Sequence, residues 1–234
     1  MTRRLQMLGM ILALIGLGFV VAGGVAFYQV QKGYDSLQSF SAAQNVQLSY
    51  NEDGQLVDRG TTEGADAIMT LLVEDWGYSV NEADLDPADP VVNTASEYMF
   101  QMATIGYHIL HGTQTVVLDE TVEYEGTTYE AGTYEFDVDG RYWTDFDRMH
   151  PLEGPARGQA WSGTAHGLFA ELGVGTVTAS TLQIGLGLAG LFAAVGLLAL
   201  VAGLGMIWVA RTKEEFGGIQ VTSPEMPKTK TPTS

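Results

Sequence analysis

Two stretches of this 234-residue chain carry no charge: residues 5–28, which read LQMLGMILALIGLGFVVAGGVAFY, and residues 182–210. About 20 predominantly apolar residues in a helix suffice to cross a hydrocarbon core of about 30 Å. Both runs exceed that length, so the expected architecture is a membrane protein with two transmembrane helices. The first run also fits a secretory signal peptide, since Arg3 and Arg4 form a basic start and Gly24-Val25-Ala26 is a small-x-small site. Its apolar stretch is longer than the usual core of about 7–15 residues in such signals, which favours a retained span.

Orientation follows from basic residues near the span ends, because Lys and Arg concentrate on the cytoplasmic side. Arg3 and Arg4 precede the first span, Arg211 and Lys213 follow the second, and Lys32 alone stands near a span end on the middle side. The expectation is a cell-membrane protein with a cytoplasmic N-terminus (1–4), an extracytoplasmic segment (29–181) and a cytoplasmic tail (211–234). The tail is rich in Thr, Pro, Ser and Lys, with little apolar surface to fold by itself.

Small residues recur at four-residue spacing in both spans: Gly9/Ala13 and Gly18/Ala22 in the first, and Gly185/Ala189, Gly190/Ala194 and Ala199/Gly203 in the second. Such pairs let helix backbones approach closely in lipid, where dispersion and shape drive association. They predict packing on the other span or on a partner subunit; the plainer reading is that glycine is frequent in spans. Residues 185–190 also satisfy a GxGxxG pattern, but no strand precedes them and no acid follows about 20 residues on, so they do not form a dinucleotide site.

Charge is distributed as unevenly as hydropathy. The formal net of -17 comes from 28 acids and 11 bases, and residues 29–181 alone hold 25 of the acids and 5 of the bases. The basic surface expected of a nucleic-acid binder is missing, which argues against that class of partner. Zero cysteine removes disulfides, thiolate metal sites and cysteine nucleophiles. An acidic field of this kind steers cations or a basic soluble protein, such as an electron carrier, toward the surface; the plainer reading is a solubilising coat.

Within 29–181 the pattern is α+β. Helical character continues past the first span to about residue 41. Ile68, Leu71, Leu72 and Trp76 recur at helical spacing and predict a helix over 64–76. The acid- and proline-containing segment 81–90 reads as a loop. Thr94-Ala95-Ser96-Glu97 is a capping box, predicting a helix to about residue 111 lined by Tyr98, Met99, Met102, Ile105 and Leu110. Residues 115–146 alternate at period two between Glu125-Gly126, Ala131-Gly132 and Asp139-Gly140, which predicts a β-meander with Asp-Gly as a hairpin turn. Pro155 then predicts a third helix through residue 172, closed by Gly173.

Ala65-Asp66-Ala67-Ile68, Asp84-Leu85-Asp86-Pro87-Ala88-Asp89-Pro90 and Asn93-Thr94-Ala95-Ser96 are similar to elements of a two-span actinobacterial membrane family often labelled aromatic-ring-opening dioxygenase. In that family the Thr-Ala-Ser element leads directly into the second span. Here it recurs as Thr178-Ala179-Ser180, so residues 97–177 would be an insertion carrying the meander. The resemblance implies a membrane protein without assigned activity.

Candidate chemistry is sparse. His108 and His111, three apart on a predicted helix, share a face that can supply two imidazoles to one metal, and Met102 nearby would suit copper. The plainer reading places two histidines at a helix C-terminus, where positive charge is favoured. No cofactor is expected on the main reading; copper, zinc or calcium belongs to the alternative. Asp137-Val138-Asp139-Gly140 with Asp145 and Asp147 resembles a calcium loop but has glycine fourth and Arg148 at position twelve, which fails the EF-hand pattern. Ser162 and His166 lie four apart on a predicted helix without a GxSxG setting. No nucleophile, base and orienting group can be placed together, so no catalytic residue is assigned.

The sequence therefore points to a non-catalytic accessory subunit of a larger cell-membrane complex. Its partners would be other integral membrane subunits and the bilayer. The alternatives are a metal-binding protein using His108 and His111, a docking surface for a basic electron carrier, and, disfavoured by its short cytoplasmic part, a sensor.

Overall fold

The computed structural model describes residues 2–217 of the chain; residues 218–234, the bulk of the expected Thr/Pro-rich tail, lie outside the described residues. The chain divides into two compact units: residues up to Val30 together with those from Gly185 onward, and Gln31–Ile184.

The first unit holds the first uncharged run and all but the first three residues of the second. They belong to helices α1 (Thr2–Gln44) and α5 (Gly163–Gly217). Each contains an 18-residue window of mean hydropathy 2.5 of which only 11% is buried. Both helices are therefore long and apolar enough to cross a membrane. Neither contains proline, and α1 stops where Asn45 takes a left-handed φ of 50° while its N–H donates to the Ser41 carbonyl at 2.9 Å.

In the second unit, helix α2 (Thr62–Thr70) begins at Thr61, whose hydroxyl accepts from the Gly64 amide at 3.2 Å. The chain continues directly into one π-helical turn, Leu71–Asp75, with the Trp76 N–H reaching back to the Leu71 carbonyl. The widened turn delivers Trp76 onto helix α3 (Ala95–Leu110) at Gly106. A β-carbon at Gly106 would lie 2.9 Å from the Trp76 ring, so only glycine leaves room for the indole. The Trp76 indole N–H then donates to the Tyr142 hydroxyl at 2.9 Å.

Helix α3 opens with the expected capping box. Glu97, only 1% exposed, accepts from the Asn93 and Thr94 amides and from the Thr94 hydroxyl, while its own N–H donates back to Thr94. Its buried face is Tyr98, Phe100, Ala103, Gly106 and Leu110, with Met99, Met102 and Ile105 only partly covered. One hydrophobic cluster gathers Ile68, Leu72, Val92, Phe100 and Leu172; a second gathers Leu71, Leu110, Val138, Phe146 and Trp161. Segment 81–90, expected as a loop, contains one short 3-10 turn at Glu82–Asp84.

Strand pairing corrects the expected meander. Strand β1 (Thr113–Leu118) pairs antiparallel with β4 (Gly132–Asp137), and β2 (Val122–Tyr124) pairs with β3 (Thr127–Tyr129). The two hairpins are nested, not laid side by side. The tight turn is Glu125-Gly126, with φ of 48° and 81°, the signs that a two-residue type I′ connection requires. Asp139-Gly140 closes no hairpin: the Gly140 N–H donates to the Leu110 carbonyl at 2.8 Å and satisfies an end group of α3. Period-two alternation marks strands but not which strands are partners, and the inner pair captures the loop that would otherwise be free.

The expected single helix over 155–172 is also corrected. Helix α4 (Glu153–Ala160) ends at Trp161, whose indole is 6% exposed and donates to the Arg141 carbonyl at 3.2 Å. Ser162 then starts α5 anew, its hydroxyl accepting from the Ala165 amide. Gly173 does not stop α5. The Gly- and Thr-rich stretch after it remains helical because it packs on α3: a β-carbon at Gly175 would lie 2.6 Å from the Tyr98 ring. Tertiary packing overrides weak local propensity here. The two Thr-Ala-Ser elements consequently differ in setting, Thr94 capping α3 and Thr178-Ala179-Ser180 lying inside α5 with Ala179 3% exposed.

Candidate functional site

The residues expected to pack the spans separate into two sets. Gly9 and Gly203 face each other: a β-carbon at Gly9 would lie 2.7 Å from the Gly203 carbonyl oxygen, and one at Gly203 would lie 2.5 Å from the Ala13 nitrogen. Ala189 is 2% exposed in the same seam, Ala199 is half-buried there with its carbonyl carbon 3.0 Å from a β-carbon at Gly16, and a β-carbon at Gly185 would lie 2.8 Å from Val30. Gly18 and Gly190 have nothing within 4 Å of a β-carbon, and Ala22 and Ala194 are exposed. These four residues form no part of the seam.

Three seam residues escaped the sequence reading. Gly16 would place a β-carbon 2.5 Å from the Leu200 nitrogen, Gly23 one 2.8 Å from the Ala193 nitrogen, and Gly196 one 2.6 Å from the Val20 nitrogen. The contacts run Gly9 to Gly203, Gly16 to Gly196 and Gly23 to Ala189, so the helices are antiparallel and their small residues recur every seven positions. A strict seven-residue repeat keeps a seam in register through a left-handed supercoil. Four-residue spacing belongs to a different crossing and coincides with only part of this seam. Phe19 and Phe192 add an edge-to-face ring contact at 5.8 Å. The GxGxxG pattern at 185–190 lies wholly inside α5.

In the Gln31–Ile184 unit, the four histidines have separate structural partners. His108 Nε2 lies 3.0 Å from Asp58 Oδ1, and His111 Nδ1 lies 2.9 Å from the Tyr107 carbonyl at the end of its own helix. Met102 borders the first cluster, near Gly173. His166 Nδ1 lies 3.0 Å from the Ser162 carbonyl, which leaves the Ser162 hydroxyl to its capping role. His150, not singled out in the sequence, uses Nδ1 to accept from the Leu152 and Glu153 amides and Nε2 to meet the Tyr129 hydroxyl at 2.9 Å. It both caps α4 and pins the inner hairpin. Among the described residues, no group of three His, Cys, Asp or Glu is arranged to hold a metal ion.

Many of the acids are likewise engaged in local structure. Asp137 accepts from Thr113 at 2.6 Å and Glu135 from Thr115 at 3.0 Å across the outer hairpin. Asp145 accepts from the Tyr142 amide, and Asp147 from the Met149 amide and the Tyr124 hydroxyl. The Tyr124 bond holds the Asp147 carboxyl below its ordinary range and pushes the phenol up to about 12. His111, Asp137, Asp139 and Arg141 line one open polar depression, in which Arg141 bridges to Glu153 at 3.0 Å.

Glu97 is the exception among the described carboxylates, because it is buried. Burial raises its pKa, against the lowering pull of the Asn93 and Thr94 hydrogen bonds. The Tyr50 hydroxyl is buried without a hydrogen bond among the described residues, and burial, with Glu97 and Asp86 adding, pushes it up to about 12.

With this geometry in view, comparison with known proteins found no matching family model, no matching curated protein and no matching solved structure.

Proposed function

We propose that this chain is a non-catalytic accessory subunit of a larger cell-membrane assembly. The two-helix anchor crosses the bilayer, both termini are cytoplasmic, and the acidic α+β unit lies on the extracytoplasmic side. The observation that carries the proposal is the outward set Gly18, Ala22, Gly190 and Ala194. The seam between the two spans is already formed by other small residues, yet these four remain uncovered. A glycine or alanine facing lipid forgoes dispersion contacts that a larger side chain would make, whereas against a third helix it permits close backbone approach. The orientation rests on Arg3, Arg4, Arg211 and Lys213 at the cytoplasmic ends against Lys32 at the other.

The non-catalytic part is supported by the use of His108, His111, His150 and His166 in packing, capping and helix-end contacts. Replacing Gly18, Ala22, Gly190 and Ala194 with leucine tests the proposal. Recovery of larger native-mass species from gently solubilised membranes should fall, with helicity unchanged. Undiminished recovery with the four leucines in place would contradict it.

A further inference from the structure

A cavity of about 250 Å³ lies between the end of α1, helix α3 and the start of α5, all within the Gln31–Ile184 unit. Its wall includes Val92, Ile105 and Leu172, and it is reached past Phe40, Val46 and Leu168, which are 48%, 39% and 39% exposed. An apolar cavity of about 150 Å³ holds benzene, so this volume takes one ring with a short substituent.

The cavity's polar lining is Ser41, Gln44, Tyr98, Gln101 and Glu171. Ser41 and Tyr98 are 3% and 5% exposed and share a single hydrogen bond of 2.8 Å between their hydroxyl oxygens. Two hydroxyls bring two protons, and one shared bond uses one of them. No second partner is present for either hydroxyl among the described residues, so the pair retains one O–H donor beside the cavity. A buried donor left unpaired costs free energy, and an acceptor delivered by a ligand removes that cost. The ionisable group at the cavity, other than the tyrosine, is the exposed carboxylate of Glu171, which disfavours an anion.

We propose that this cavity binds a neutral, mainly apolar small molecule of single-ring size that presents one hydrogen-bond acceptor to the Ser41–Tyr98 hydroxyl pair. The proposal stands apart from the subunit role: it concerns a different unit of the chain and survives if no membrane partner exists.

The test is methyl NMR of Ile105 and Leu172 in the full chain in lipid nanodiscs, titrated with three probes. Acetophenone carries the acceptor, α-methylstyrene replaces its oxygen with a methylene, and benzoate adds the negative charge. Acetophenone should shift both methyl groups saturably and bind about 3–10-fold more tightly than α-methylstyrene, the worth of one neutral hydrogen bond; benzoate should bind weakest. Each single variant, Ser41→Ala or Tyr98→Phe, leaves one hydroxyl and should keep part of the preference. The double variant should abolish it while α-methylstyrene binds as before.

Thermal melting of each variant checks folding, and Ile105→Trp, which fills the cavity, should remove all binding while leaving Ser41 and Tyr98 in place. Absence of saturable shifts in the wild-type chain would overturn the proposal. Equal binding of acetophenone and α-methylstyrene would do so too, as would a preference that persists in the double variant.

Discussion

A methyl group placed on Gly16 would lie 2.6 Å from the carbonyl oxygen of Gly196, and one placed on Gly196 would lie 2.7 Å from the carbonyl oxygen of Gly16. At this point the two apolar helices touch backbone to backbone, with the Val20 side chain alongside. The seam therefore has a strict size limit, and the heptad positions on either side repeat it.

Gly16→Leu and Gly196→Leu should each destabilise the helical hairpin by at least the overpacking cost of about 1–3 kcal/mol. Gly18→Leu and Gly190→Leu, where a side chain meets open space, should leave it unchanged. Thermal unfolding of the purified chain in detergent, followed by circular dichroism, separates the two pairs. Equal melting in all four variants would remove the seam as an explanation.

Glu97→Ala should cost about 2–4 kcal/mol, because the Asn93 and Thr94 amides lose their acceptor inside the fold. Glu97→Gln keeps an acceptor without the charge and reads out the titration. A carboxyl with a raised folded-state pKa binds its proton more tightly when folded. Its stabilising contribution is complete below the ordinary carboxylate range and is lost as pH rises through the raised value. Wild-type stability should thus fall more steeply than that of Glu97→Gln as pH rises from about 4 toward neutrality, measured by chemical denaturation. A steeper fall in the variant would reverse the sign of the argument.

The inner hairpin turn places a glutamate at φ of 48° and a glycine at 81°. Gly126→Ala should destabilise by about 1–2 kcal/mol, the left-handed penalty for a residue with a β-carbon. Glu125→Asn should stabilise by a few tenths of a kcal/mol, since asparagine tolerates that conformation and Asn-Gly favours the type I′ turn. Hydrogen exchange of the Val122 and Tyr129 amides, in the paired strands, reports both changes locally.

His108→Ala leaves Asp58 without its imidazole partner and should lower stability by about 1 kcal/mol. If the histidines are packing groups, metal content of the purified chain should be the same in the wild type and in the His108→Ala, His111→Ala double variant. Metal lost from the double variant would instead assign them to ligation.

What the sequence makes legible is set by the range of the signal. The two apolar runs and the Thr94–Glu97 capping box are local, and the structure places both where the residues announce them. The nested pairing of the hairpins is not local, because alternation along β1 carries no information on whether β2 or β4 lies beside it. The break at Trp161 depends on an indole bond to Arg141, 20 residues away, and the persistence of α5 past Gly173 depends on the Tyr98 ring beside Gly175. Gly16, Gly23 and Gly196 were visible in principle: they sit on a seven-residue repeat shared by both runs. The test that finds them is to read the two spans against each other in opposite directions.

The most direct test of the accessory-subunit reading is the native mass of the tagged full chain after extraction from its own membranes in a gentle detergent or polymer. The reading predicts recovery with other integral membrane chains in a discrete assembly, diminished when Gly18, Ala22, Gly190 and Ala194 are replaced by leucine. Recovery of the wild-type chain as a stable species of about its own 25.1 kDa, with no membrane partner, would contradict it.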